Sequence, residues 1–128
     1  MHPTPETAEK QEIKFFLNSR GKVKNDETKK ISYADIPTDA FKSKIAGVFN
    51  KDHKVKIIVH GWTKSADFHL FVGMMKALLE AEPVNVVRVD WSVGANRIDY
   101  WQSAVNTQIV GEEIAKFINK LAQVLSAL

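Results

Sequence analysis

Residues 55–62 read Val-Lys-Ile-Ile-Val-His-Gly-Trp, and this stretch decides the fold. Only Lys56 interrupts the apolar run before His60, which predicts a strand buried on both faces, as in a parallel sheet. Gly61 follows directly and suits a tight turn whose backbone a bulky residue would resist. Because backbone N–H groups in such a turn can face a developing oxyanion, the stretch predicts a strand that ends in an anion-binding turn.

Strands and helices alternate on both sides of this stretch. Strands are predicted over residues 13–18, 30–34 and 84–89, a short helix around Phe41 and Ile45, a helix from Phe68 to Leu79 and a final helix over about 101–126. The order strand, helix, strand, helix in the second half favours right-handed crossovers. We therefore expect an α/β fold in residues 12–128, a mostly parallel sheet of about four strands with two main helices. Residues 1–11 are polar, carry two prolines and predict a flexible arm.

The composition excludes several classes of function. The 128 residues are 45% hydrophobic and 26% charged, which is typical of one soluble domain, and the net charge is +3. The lysines are not interleaved with aromatic residues, so they indicate a solvated surface and no nucleic acid partner. There is no cysteine for disulfides or thiolate metal sites, and no apolar run long enough to cross a bilayer. Asp67 and His69 lack a third ligand at useful spacing, and we expect neither a metal nor a cofactor.

His60 and Asp90 are the polar residues placed best for a functional role. His60 either supports an active-site loop or is a buried histidine bonded to nearby backbone, and its spacing alone favours the second interpretation. Asp90 and Trp91 follow the strand over 84–89, at the edge of the sheet where α/β proteins bind ligands. They are possible substrate-edge residues, and the carboxylate can equally cap a turn.

The sequence lacks an evident nucleophile. It contains no Gly-x-Ser-x-Gly, and none of its serines lies between glycines in a strand–turn–helix elbow. A Ser-His-Asp site of another geometry is a lesser alternative. Gly73, Gly94 and Gly111 do not form a phosphate-binding loop, and Gly111 is expected to allow close packing within its helix.

An ordered series of motifs resembles animal lipases of the pancreatic-lipase type. It comprises residues 13–20, Val48-Phe49-Asn50, residues 55–62 and 84–92, Tyr100, Ala104 and residues 106–117. The similarity covers nearly everything from residue 12 to 125, and the order of the motifs is more specific than any one of them. Related insect enzymes and yolk-like proteins share the pattern, so the family includes non-catalytic members.

The resemblance implies a partial α/β-hydrolase fold, carboxylic-ester or lipid substrates and an extracellular location. It implies that the backbone N–H of Trp62 forms one side of an oxyanion hole, supported by His60 and Gly61. The family keeps its nucleophile, acid and histidine beyond the position of Leu128. Gln108 departs from the arginine that we expect the family to favour there, which removes a charge from a local salt bridge.

Two functions follow from this resemblance as expectations. The first is a lipase-like fragment that is not catalytic as an isolated chain and binds lipid or protein. The alternative is the oxyanion half of a lipase or phospholipase whose serine, aspartate and histidine lie on a missing segment or a second chain.

The resemblance also predicts an exposed sheet edge. In this fold the strand with the nucleophile pairs beside Val55–Val59, so without it those residues carry unpaired N–H and C=O groups that invite another chain. We expect a homo-oligomer, strand exchange or a partner that completes the sheet. The alternative is a rearranged domain that covers the edge itself.

Overall fold

The computed structural model describes residues 3–20 and 29–128. Its strands are β1 (Lys14–Ser19), β2 (Lys29–Ser32), β3 (Lys54–Val59) and β4 (Val84–Asp90). Its helices are α1 (Ala8–Gln11), α2 (Asp39–Val48), α3 (His69–Ala81), α4 (Ser92–Ala95) and α5 (Tyr100–Ser126). Residues 23–30, whose charged sequence predicts a turn or hairpin tip, lie largely outside the described residues. None of the described helices combines the length and apolarity that a membrane crossing requires.

The four strands form one mixed sheet in the order β2-β1-β4-β3. β2, β3 and β4 run in the same direction, whereas β1 runs against both of its neighbours. The α/β prediction is therefore confirmed, but β3 and β4 are the only directly paired parallel strands in the described part of the chain. The connection between β1 and β2, residues 20–28, is too short for a parallel crossover, which explains the antiparallel pair.

Helices cover both faces of the sheet. On one face Phe15 of β1 stacks on Phe117 of α5 with ring centroids 4.4 Å apart, and Phe41 of α2 meets the same ring edge-on at 5.2 Å. On the other face Met75 of α3 packs against Val84 and Val86. All seven residues of β4 are buried as a result.

β3 differs from the strand that its apolar sequence predicts. It lies at one edge of the sheet and pairs with β4 alone among the described strands. Residues 55–58 are only half-buried, and Val59 is 45% exposed. The prediction of burial on both faces is therefore wrong, because β3 has a neighbour on one side only. The prediction of an exposed edge is confirmed.

The segment expected to be a loose arm is hydrogen-bonded to α5 and to the loop before it. The Glu6 carboxylate accepts hydrogen bonds from Arg97 Nε at 2.7 Å and Nη2 at 2.8 Å, and from Asn106 Nδ2 at 2.9 Å. The fully buried Gln11 of α1 donates to the carbonyls of Glu6, at 2.9 Å, and Asn106, at 3.3 Å. Since Arg97 and Asn106 lie 91 to 100 residues from their partners in this segment, no local sequence pattern predicts these contacts.

Two helical glycines have opposite surroundings. A Cβ at Gly94 of α4 would collide with the side chain of Gln11 on α1, which would have to shift. A Cβ at Gly111 of α5 would meet nothing within 4 Å. The expectation that Gly111 permits close packing is wrong, because this residue faces solvent.

We predict that Gly94→Ala lowers the free energy of unfolding by about 1–3 kcal/mol, because the added methyl group must displace Gln11. Chemical denaturation of the purified chain measures this difference. Gly111→Ala is the matched control. It should raise stability by about 0.5–1 kcal/mol, because alanine has a higher helix propensity than glycine and its methyl group would meet no other atom there. Equal effects of the two substitutions would contradict the packing at Gly94.

Candidate functional site

The parallel pairing of β3 and β4 brings their carboxyl ends together. Val59 lies opposite Val89 in the register, so His60-Gly61-Trp62 leaves the sheet beside Asp90-Trp91. This is the edge at which α/β proteins bind ligands. This edge therefore brings together the residues that the sequence analysis selects, His60-Gly61-Trp62 and Asp90-Trp91.

The turn after β3 is formed by residues 61–64. The N–H of Lys64 donates to the Gly61 carbonyl at 3.2 Å, and the N–H of Thr63 donates to the carbonyl of Ala95 at 3.1 Å. Thr63 has a φ of 64°, which is rare for a β-branched residue and costs about 1–3 kcal/mol. The sequence suggested Gly61 as the conformationally special residue, but the left-handed position belongs to Thr63. Such strain is concentrated at functional sites.

Trp62 presents a free backbone amide in this turn. Within the described part of the chain, its N–H takes part in no hydrogen bond. The side chain is fixed separately, because the indole Nε1 donates to the Arg97 carbonyl at 3.3 Å and the ring meets Tyr100 edge-on at 5.2 Å. The amide is thus available to an acceptor while the residue that carries it is held in place.

His60 lies beneath the turn and is 6% exposed. The indole Nε1 of Trp91 donates to the His60 carbonyl at 2.8 Å, and the two rings stack with centroids 5.6 Å apart. Nδ1 of His60 lies 3.0 Å from the Gly61 carbonyl, which can only accept, so Nδ1 carries a proton. His60 is therefore buried and bonded to nearby backbone.

Nε2 of His60 lies between a donor and an acceptor. The backbone N–H of Trp91 is 3.1 Å away and can only donate, whereas Oδ1 of Asp90 is 3.3 Å away. A neutral ring accepts from Trp91, and a doubly protonated ring donates to the Asp90 carboxylate. Either form keeps His60 attached to the end of β4.

Asp90 is held in its ionised form. Burial alone would raise its pKa, but the contact with the His60 ring and the hydrogen bonds from Ser92 outweigh burial and lower the pKa to about 2. The backbone N–H of Ser92 donates to Oδ1 at 2.9 Å, so the carboxylate also caps the start of α4. Asp90 and Trp91 are each 5% exposed and contact His60.

Arg88 anchors the chain beyond the turn. Its guanidinium is buried on β4, where Nη1 donates to the carbonyl of Ala66 at 2.8 Å. Burial lowers the pKa of Arg88, and the nearby carboxylates of Asp67 and Asp90 counteract this. In the sequence Arg88 appears only as an interruption of an apolar strand. Asp67 and His69 belong to no group of three metal-ligand side chains in the parts of the chain that the structure describes.

Comparison with known proteins assigns the chain to a family. A family model described as Lipase matches residues 1–127. The chain belongs to the lipase family. The resemblance to pancreatic-type lipases is therefore confirmed for almost the whole of these residues.

Curated relatives of this lipase-family chain are much longer than the chain itself. Pancreatic lipase-related protein 2 of Rattus norvegicus is 34% identical over 118 residues, which cover 92% of this chain and 24% of that protein. Pancreatic triacylglycerol lipase of Myocastor coypus is 37% identical over 73 residues, 57% of this chain and 16% of the relative. Inactive pancreatic lipase-related protein 1 of Homo sapiens is 36% identical over 76 residues, 59% and 16% respectively. The chain spans a quarter or less of these proteins.

We predict that the contribution of Asp90 to stability disappears in acid. Because its pKa falls from 3.8 to about 2 on folding, ionised Asp90 stabilises the fold by about 2 kcal/mol above pH 5. That contribution is lost as the pH drops from about 4 to about 2. The free energy of unfolding of wild type and Asp90→Asn should therefore differ at pH 6 and converge near pH 2, as measured by urea denaturation.

Asp52→Asn is the matched control for this prediction, since Asp52 is exposed in the connector before β3. It should follow the wild-type stability curve throughout. A constant difference between wild type and Asp90→Asn from pH 6 to pH 2 would show that the carboxylate is not stabilised by its surroundings.

Proposed function

We propose that this chain provides the oxyanion-binding turn of a lipase or carboxylic-ester hydrolase site and does not complete turnover alone. The free N–H of Trp62, held at the carboxyl end of β3, is the observation that carries the proposal. The proposed substrates are lipids or carboxylic esters, and the proposed location is extracellular. Both derive from the family to which the chain belongs.

The arrangement suits electrostatic stabilisation of a transition state. A backbone donor aimed at a developing oxyanion lowers the barrier most when it needs no reorganisation, and one such donor contributes a factor of about 10²–10³ to the rate. Here reorganisation is limited by the His60 contacts below the turn and by the bond from Thr63 to Ala95 beside it. The second donor of such a hole is the N–H after the nucleophile.

The nucleophile is the part that these residues do not provide. No Gly-x-Ser-x-Gly occurs in the sequence, so we place the serine, with its acid and histidine, on a segment outside these residues or on a second chain. A different possibility is a lipase-like pseudoenzyme that only binds lipid or protein. One relative supports this second function, because the human protein that the chain resembles is named inactive pancreatic lipase-related protein 1.

An ester assay separates these functions. The purified chain should neither hydrolyse a chromogenic short-chain ester nor be labelled by a serine-directed phosphonate. Hydrolysis should appear when a polypeptide with the Gly-x-Ser-x-Gly segment of this family is added. Turnover and labelling of the chain alone would contradict the proposal. No activity with or without the added polypeptide would favour the pseudoenzyme that only binds lipid or protein.

We predict that Trp62→Pro abolishes the contribution of the turn to hydrolysis in such an assembly. Trp62 has a negative φ and precedes Thr63 at positive φ, a type II arrangement in which proline is favoured at the Trp62 position. Proline therefore removes the N–H with little change to the turn. The rate constant of the assembled enzyme should fall by about 10²–10³ relative to the control.

Trp62→Ala is that control, because it loses the indole as proline does but keeps the N–H. Circular dichroism should show both variants folded. Equal rate constants for the two variants would mean that the Trp62 amide does not contact the reacting oxygen.

We further propose that a strand of another chain, or a second copy of this one, pairs with the free edge of β3. The support is the position of β3 at the end of the sheet, the half-buried state of residues 55–58 and the exposure of Val59. Exposed apolar edge strands offer unpaired backbone groups to other strands.

A charge on this edge is therefore predicted to reduce self-association. Val59→Lys should shift the molar mass measured by light scattering at high concentration toward the monomer, because a lysine on an edge strand opposes strand addition. Ile118→Lys on α5 is the matched control, since Ile118 is 46% exposed and Val59 is 45% exposed. A wild-type chain that stays monomeric at high concentration would contradict the prediction.

A further inference from the structure

Three hydrogen bonds join the turn after β3 to residues 94–97, which we call the linking segment. They run from the Thr63 N–H to the Ala95 carbonyl at 3.1 Å, from Trp62 Nε1 to the Arg97 carbonyl at 3.3 Å, and from Asn96 Nδ2 to the Lys64 carbonyl at 3.4 Å. Each residue from 62 to 64 therefore has a bond to this segment. The position of the linking segment then determines how the turn presents the Trp62 amide.

The linking segment is itself held by Glu6 and Asn106. The Glu6 carboxylate accepts two hydrogen bonds from the Arg97 guanidinium, from Nε at 2.7 Å and from Nη2 at 2.8 Å. Nδ2 of the fully buried Asn106 donates to the Gly94 carbonyl at 3.1 Å and to Glu6 Oε1 at 2.9 Å. One carboxylate is thus connected to both ends of the linking segment, directly at Arg97 and through Asn106 at Gly94.

The charge of Glu6 suits this role. Hydrogen bonds from Arg97 lower the pKa of the Glu6 carboxyl, and the side-chain amide of Asn106 lowers it further, against the opposing effect of partial burial. The carboxylate is therefore ionised at neutral pH. Hydrogen bonds between an ionised carboxylate and a guanidinium are short, and their bidentate form fixes the relative orientation of the two groups.

The pair of Glu6 and Arg97 contributes orientation more than stability. The Arg97 side chain is 37% exposed and that of Glu6 is 20% exposed, so water and salt weaken the attraction between them. The pair of Lys44 and Asp35 has similar side-chain exposure, 38% and 29%, and an N–O distance of 3.2 Å. Within the described residues, neither member of that second pair is hydrogen-bonded to the turn or to the linking segment.

We propose that Glu6 and Arg97 are positioning residues for the Trp62 amide. They act through the linking segment and not on the reacting atoms. This deepens the proposed function and rests on it for the link to hydrolysis. The orientation of the turn can be measured in the chain alone, so the two proposals can fail separately.

Amide hydrogen exchange of the purified chain, followed by NMR, tests the positioning. Glu6→Gln keeps the size of the side chain but removes its charge. It should speed exchange of the Thr63 N–H at least ~10-fold, because the acceptor at Ala95 is no longer held in one position. The Trp91 N–H, which is bonded to His60 Nε2, should exchange as it does in wild type.

Asp35→Asn is the matched control, because it neutralises the carboxylate of an ion pair of similar exposure. It should leave the exchange of the Thr63 and Trp91 amides at wild-type rates. Urea denaturation should give Glu6→Gln and Asp35→Asn similar free energies of unfolding, since both lose a partly exposed ion pair.

Hydrolysis by the assembled enzyme provides the second measurement. Glu6→Gln should lower kcat by about 10–10²-fold and leave KM nearly unchanged, because a displaced donor weakens binding of the transition state and not of the substrate. Arg97→Lys should lower kcat in the same way, since lysine keeps the charge but lacks the bidentate fork. Asp35→Asn should retain the wild-type kcat.

Three results would overturn the proposal. The first is a Thr63 exchange rate or a kcat that Glu6→Gln leaves at the wild-type value. The second is equal acceleration of Thr63 and Trp91 exchange in Glu6→Gln, which would make the pair a general support of the fold. The third is wild-type Thr63 exchange in Arg97→Lys, which would show that the bidentate geometry is not needed.

Failure of the proposed function has a different signature. If Trp62→Pro and Trp62→Ala hydrolyse ester at equal rates, the Trp62 amide is not the oxyanion donor. The exchange rate of the Thr63 N–H in Glu6→Gln still decides whether the pair of Glu6 and Arg97 holds the turn.

Discussion

The parallel register of β3 and β4 is the constraint on which the site depends. With Val59 opposite Val89, the chain leaves both strands at the same height, and His60 meets Asp90 and Trp91. A shift of one residue would turn each of these side chains to the other face of the sheet. The packing of β4 opposes such a shift, because every residue of that strand is buried and would have to exchange its neighbours.

Two sets of contacts then hold the turn. In the first, the Trp91 indole and the Asp90 carboxylate hold His60. In the second, the end of α4 and the segment after it accept hydrogen bonds from Thr63 and from the Trp62 indole. This segment is in turn bound by Glu6 through Arg97. The N-terminal residues are thereby connected to the backbone amide that the proposed function uses.

The cost of the site is visible in the same residues. Thr63 carries a strained backbone, and Arg88 and Asp90 are ionisable groups taken out of water. Buried ionised groups persist where hydrogen bonds replace the lost solvent, as the Ala66 carbonyl does for Arg88 and the Ser92 N–H does for Asp90. Arrangements of this kind are typical of places where geometry is kept for function and not for stability.

The sequence predicts the parts of the structure that depend on local periodicity. The apolar spacing in α3 and α5 and the valine-rich sequence of β4 are sufficient to find these elements, and the motifs around His60 and Asp90 select the residues of the candidate site. Features made by distant residues are missed. Glu6 and Arg97 are 91 residues apart, and neither has a neighbour that signals the pairing. Thr63 combines a positive φ with a hydrogen bond to Ala95, which is distant in the sequence, so inspection of the turn alone favours Gly61.

Amide hydrogen exchange, followed residue by residue by NMR, tests the central claim most directly. The account predicts that the Trp62 N–H exchanges close to the rate of an unstructured peptide, while the buried Trp91 N–H, bonded to His60 Nε2, exchanges at least ~10³-fold more slowly. A Trp62 amide protected to the same degree as Trp91 would mean that the proposed donor is already occupied, and the account would be wrong.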